Sequence, residues 1–190
     1  MPFGLIFTFG RVYGITTLDS VRANTFVSQL KGLAVEKVRT PVVGGHSGPT
    51  IVPLFSHVAK EFGITLNQKE VEGLSHRVQY GGDEVVKAKD GGGSATLSMA
   101  YAAREFIKPF MACLNGQSGP QTLTCFLYDS SKFAESFGYL AVPVEFSTNA
   151  KPTIAGIPEM NQYEKELFTL GLPELKQNIQ KGIEFAKKQK

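Results

Sequence analysis

Two short segments of this chain carry residue types suited to acid–base chemistry. One is Leu18-Asp19-Ser20-Val21-Arg22-Ala23-Asn24-Thr25-Phe26, and the other is Gly44-Gly45-His46-Ser47-Gly48. Asp19 and Arg22 stand three residues apart, so on a helix they share a face. A planar guanidinium matches a carboxylate at two points, which makes Arg22 a natural clamp for an acidic substrate. His46 can exchange a proton near neutral pH. The glycines around it let backbone and ligand approach closely. If Asp19 accepts a hydrogen bond from one imidazole nitrogen, it sets the tautomer and favours the imidazolium, and the other nitrogen is left for substrate. Such a set suits proton transfer on a small carboxylic acid. Each member also has a plainer reading. The Asp19–Arg22 pair reads equally as a helix-surface ion pair worth less than about 1 kcal/mol, and His46 as a structural loop histidine.

The other reactive types point to less. Gly91-Gly92-Gly93-Ser94-Ala95-Thr96 precedes a helical pattern and would present backbone amides to an anion, but phosphate-loop spacing is missing and a close-packed pocket wall fits as well. Met99, one turn into that helix, reads as core. His57 and His76 sit in ordinary polar or helical contexts and read as structural. Cys113 and Cys125 can pair, or remain free thiols in a reducing compartment. No CxxC or His-x-x-His spacing offers a metal site.

The elements that must position these residues follow from periodicity and punctuation. Thr17 is read as the N-cap of a first helix with Leu18, Val21, Phe26 and Leu30 near helical spacing, ended by Gly32. Val38 to Val43, broken by Pro41, predicts an edge or irregular strand leading into the His46 loop. The stretch from Thr50 to Phe62 is mixed, with Pro53 near a local start. Asn67 caps a long helix weakened at Gly81-Gly82, and Ser94 or Ala95 opens another, in which Pro109 predicts a kink. Thr122–Tyr128, Tyr139–Phe146 and Thr153–Ile157 read as strands of an antiparallel meander, with turns at Asp129-Ser130-Ser131 and Thr148-Asn149-Ala150. Two helical pieces close the chain, Glu159 to Leu170 and a second opened by Pro173. The order is helix, strand, helices, strands, helices, with no βαβαβ alternation, and no GxGxxG or Walker A sequence occurs. The class is α+β, one domain, with an antiparallel sheet packed against long helices.

Composition sets outer bounds. The 190 residues carry a net charge of +3, too mild to argue for a nucleic-acid partner. The Lys187-Lys188-Gln189-Lys190 tail reads as a solvated helix end. No apolar run is long enough to span a membrane. Residues 1–10, MPFGLIFTFG, lack the basic start of a signal peptide and read as a strand or as foreign sequence.

With these segments together, the chain resembles the malate dehydrogenase family of the mitochondrial and bacterial type. The likeness rests on four blocks in the family's order: Gly14 to Phe26, Pro41 to Gly48, Val85-Val86-Lys87-Ala88-Lys89, and Gly91 to Ala100. It runs from about Arg11 to the C-terminus, leaving residues 1–10 as an unmatched segment and 11–190 as a catalytic and substrate-binding domain. The resemblance implies that His46 is the acid–base residue, Asp19 its partner and Arg22 a substrate-carboxylate clamp. It implies that Met99 contacts the NAD cofactor through its backbone. It implies malate and oxaloacetate as substrate and product, and a homo-oligomer formed through the family's dimer surface. Lactate dehydrogenases usually carry acidic residues around the histidine where this chain has Gly45 and Ser47. The family's dinucleotide-binding Rossmann half, its mobile arginine loop and an active-site asparagine precede the region covered, so the chain is expected to be inactive alone. The alternative is a non-catalytic product serving as a dimerisation or binding module. A mitochondrial matrix location is implied by family type, with microbody or bacterial cytoplasm as alternatives.

Overall fold

The computed structural model describes residues 12–93, 96–148, 152–154 and 156–189. The proposed strand or foreign segment at 1–10 therefore lies outside the described residues, as do Ser94, Ala95, Asn149 and Ala150. Among the described residues six strands and five α-helices alternate in blocks: β1 (Gly14–Ile15), α1 (Thr17–Lys31), β2 (Val42–Gly44), β3 (Ile51–Pro53), α2 (Phe55–Phe62), α3 (Gln68–Ala88), α4 (Leu97–Leu114), β4 (Gln121–Tyr128), β5 (Tyr139–Phe146), β6 (Pro152–Thr153) and α5 (Gln162–Lys188). The α+β reading holds. All strand pairs are antiparallel in one sheet of order β1-β4-β5-β2-β3, with β6 also on β5.

The long β4–β5 hairpin is the spine of the sheet, pairing Gln121↔Phe146 through Tyr128↔Tyr139. The other side of β5 is shared: β2 meets it at Ala141, and β6 at Glu145 and Phe146. Pro143 falls between these two short partners, where a missing amide breaks no ladder. The core has two parts. One gathers Val142, Val144 and Phe146 of β5 with Phe106 of α4 and Leu175 and Ile179 of α5. The other packs Ala23 and Val27 of α1 against Val42, Ile51, Phe55, Val58 and Val78.

Several local expectations are corrected. The N-cap of α1 is Thr16, not Thr17, and Leu30 is exposed while Ala23 and Val27 fill the core. Strand β2 is not an edge: it lies between β5 and β3, because Pro41 ends before the paired residues begin. The mixed stretch from Thr50 resolves into β3 and α2. Thr96 caps α4, so the helix begins after the proposed Ser94 or Ala95. Pro109 lies inside α4, whose span runs from Leu97 to Leu114. The two closing helices are one, α5, running through Pro173. Pro173 is exposed, while Gly171, Leu175 and Ile179 are buried on the opposite side. That buried stripe carries the helix across the lost amide. Cys113 and Cys125 are both free and buried; burial pushes the Cys125 thiol up to about 12, so it is inert as a nucleophile.

Candidate active site

Three of the four proposed site residues meet. Asp19 lies in the first turn of α1 and is wholly buried. His46 lies in the loop from β2 to β3, and its Nδ1 donates to Asp19 Oδ2 at 2.5 Å. Arg22, one turn along α1, places Nη1 3.7 Å from Asp19 Oδ1. That second carboxylate oxygen is buried and makes no hydrogen bond. Asp19 thus stands between a ring nitrogen and a guanidinium, both cationic when the histidine is protonated.

The electrostatics follow from that placement. The hydrogen bond to Asp19 holds the His46 imidazole above its ordinary value. Burial and the Arg22 charge oppose the rise, and the Asp19 charge adds to it. With Nδ1–H committed to Asp19, Nε2 is the nitrogen left to take or give a proton. The His46 side chain is 45% exposed, so it reaches solvent from a buried anchor.

Arg22 owes its position to a residue that sequence reasoning valued only as a weak point. The side chain lies across α3 at Gly81, where a Cβ would stand 3.0 Å from Arg22 Nε and 3.1 Å from Cδ. The Gly81-Gly82 pair in mid-helix was the visible signal. Glycine there costs about 1 kcal/mol against alanine, and the space it leaves is what Arg22 occupies.

Met99 stands apart. It is 39% exposed in the first turn of α4, its amide donates to Thr96 O, and among the described residues it makes no hydrogen bond to Asp19, Arg22 or His46. Its reading as core is overturned. His57 and His76 stand outside this group: His57 Nε2 bonds the Glu159 carbonyl, and the His76 ring lies tilted against Tyr80. Among the described residues no cluster of three or more His, Cys, Asp and Glu is placed to hold a metal.

Beside His46 opens a cavity of about 920 Å³. Ile15, Phe126, Tyr139, Ile179 and Ile183 form much of its wall, with Lys187 at the end of α5. Of the three grouped residues His46 is the one that lines this cavity, with Asp19 and Arg22 behind it on α1.

Residues 16–186 match the lactate/malate dehydrogenase alpha/beta C-terminal domain family. The mitochondrial malate dehydrogenase of Caenorhabditis elegans is 42% identical over 177 residues, covering 93% of this chain and 50% of that protein. That of Schizosaccharomyces pombe is 43% identical over 174 residues, covering 92% and 50%. The chain spans about half the length of the curated relatives it matches. The solved apo structure of the Picrophilus torridus malate dehydrogenase superposes with a TM-score of 0.77 over 96% of this chain and 57% of that one, at 20% identity, which speaks to the fold alone. With its family model matched over residues 16–186, the chain belongs to the C-terminal domain family of the lactate and malate dehydrogenases.

Proposed function

We propose that this chain supplies the acid–base and carboxylate-binding part of an NAD-dependent malate dehydrogenase. The observation that carries it is the 2.5 Å bond from His46 Nδ1 to the buried Asp19, with Arg22 on the same carboxylate. In malate oxidation His46 Nε2 takes the proton of the C2 hydroxyl as the C2–H bond breaks. Asp19 stabilises the imidazolium so formed. Arg22 holds a substrate carboxylate and fixes the carbon's orientation. In the reverse direction His46 returns the proton to the carbonyl oxygen of oxaloacetate. NAD, when bound, supplies the acceptor for the C2 hydride. The residues present fit it at one end: exposed Met99 is suited to lie against a nicotinamide ring. Its amide is already spent on Thr96, so the contact runs through other atoms of Met99. The sequence carries no glycine fingerprint for the pyrophosphate.

Activity therefore requires a nucleotide-binding partner half. Holding hydride donor and acceptor together is worth on the order of 10⁵ or more in effective molarity, so the 190-residue polypeptide alone is expected to give no detectable NAD reduction by malate. Joined to the half of the C. elegans relative that it does not cover, it is expected to turn over. Turnover by the polypeptide alone, or none by a soluble joined protein, contradicts the reading. The relatives are named mitochondrial malate dehydrogenases, which supports a mitochondrial location for this chain.

A second reading has its own observation. Leu97, Tyr101, Ile107 and Met111 leave α4 with exposed large apolar side chains. They suit a non-catalytic module that pairs with another copy or with a partner half.

A further inference from the structure

We propose that Thr50 is the positioning residue of the His46 imidazole, with α5 as its buttress. The inference rests on His46 being the acid–base group. Thr50 is 2% exposed and closes the loop that carries His46 between β2 and β3. It bonds the residues on both sides of the histidine. Its carbonyl accepts from Gly45 N at 2.8 Å. Its Oγ1 donates to Ser47 O at 2.8 Å and accepts from Ser47 N at 3.1 Å, while its own amide donates to Ser47 O at 2.9 Å. Four hydrogen bonds from one buried residue fix the backbone before and after His46. The remaining freedom of the ring is rotation about its side-chain bonds, and the Asp19 bond takes that up.

Steric fit presses the same point. A Cβ on Gly45 would lie 2.4 Å from Thr50 Oγ1 and 3.0 Å from Leu175 Cδ1. A Cβ on Gly171 would lie 2.6 Å from Pro49 O. So α5 runs its backbone directly against the loop at Gly171, sets Leu175 on Gly45, and reaches Ser47 Oγ with Asn178 Nδ2 at 3.0 Å. One stripe of α5, at successive turns, holds the loop from outside while Thr50 holds it from within. Its hydrogen bonds go to Gly45 and Ser47, the neighbours of His46 in the chain, so it acts on His46 through the backbone.

The charged groups facing His46 are Asp19 and Arg22 from α1, Lys187 across the cavity, and Glu174, which accepts from Ser47 Oγ at 3.3 Å. Thr50→Val keeps the shape of the side chain and every one of these charges and removes only the hydroxyl. The test is titration of His46 by NMR in the 190-residue chain, with no substrate or cofactor present, so its outcome is separate from whether the joined protein turns over malate. In Thr50→Val the proton affinity of His46 is expected to fall about threefold or more, because the Asp19 bond loosens. Thr50→Ser, which keeps the hydroxyl, is expected to restore it. Val58→Ala, a core deletion in α2, lowers the melting temperature and is expected to leave His46 unmoved. An unchanged His46 in Thr50→Val, or an equal fall in Val58→Ala, overturns the proposal. If Thr50→Val does not fold, Asn178→Ala reads the same restraint from the exposed side: a fall supports it, and no fall overturns it.

Discussion

The Asp19 carboxylate is the residue on which the site turns. Buried completely, it directs one oxygen to His46 and the other toward Arg22. The raised His46 value has a consequence for stability. The folded chain binds that proton more tightly than the free imidazole, whose value is 6.5. The stabilisation is therefore fully present below 6.5 and is lost as pH rises through the raised folded value. Comparing thermal melts of wild type and His46→Gln should show the larger gap on the acid side of 6.5 and a shrinking gap toward alkaline pH. A gap that grows toward alkaline pH would contradict the assignment. For Arg22, a lysine offers a point charge in place of a planar fork. Arg22→Lys in the joined protein should raise KM for malate by about tenfold or more, since a charge-assisted hydrogen bond is worth about 1.5–3 kcal/mol.

The elements hold these residues by devices of unequal visibility. The Asn67 cap of α3 is local: its side chain accepts from Glu70 N, and the Glu70 carboxylate accepts from Asn67 N. Spacing alone discloses it. Asn161 caps α5 in the same way with Glu164. Glu164 also takes the amide and hydroxyl of Ser56 at 2.8 and 2.7 Å, which caps the start of α2. One buried carboxylate thus serves two helix N-termini, reaching Ser56 across 108 residues of sequence, and no periodicity announces it. Glu164→Ala should cost about 3 kcal/mol in urea unfolding, against about 1 kcal/mol for Asn67→Ala. Equal costs would deny the double role. The same division explains what was legible. The helix of Asp19 and Arg22, the β4–β5 hairpin and the long α3 are local patterns. The place of β2 inside the sheet, the unbroken α5 and the Thr50 anchor depend on contacts between distant segments. In α5, burial of Gly171, Leu175 and Ile179 overrode the local breaker Pro173.

At the scale of the molecule, the chain offers an apolar helix face and half the length of its relatives. Leu97, Tyr101, Ile107 and Met111 on α4 are costly to leave in water, at about 25 cal/mol per Å². The 190-residue chain should self-associate in sedimentation experiments at tens of micromolar, and Ile107→Glu with Met111→Lys should return it toward monomer. A wild-type monomer under those conditions would count against α4 as a pairing face. The grouping of Asp19, Arg22 and His46 was legible in the sequence as a candidate site because such residue types are few in the chain. Its geometry was not, since Asp19 and His46 are 27 residues apart and meet only through the sheet. The most direct test of the account is the turnover of the joined protein with His46 changed to Gln. If His46 carries the proton, malate oxidation should fall at least about 100-fold in kcat, with the protein still folded. A His46→Gln protein within about twofold of wild type in kcat would contradict the acid–base role on which the account stands.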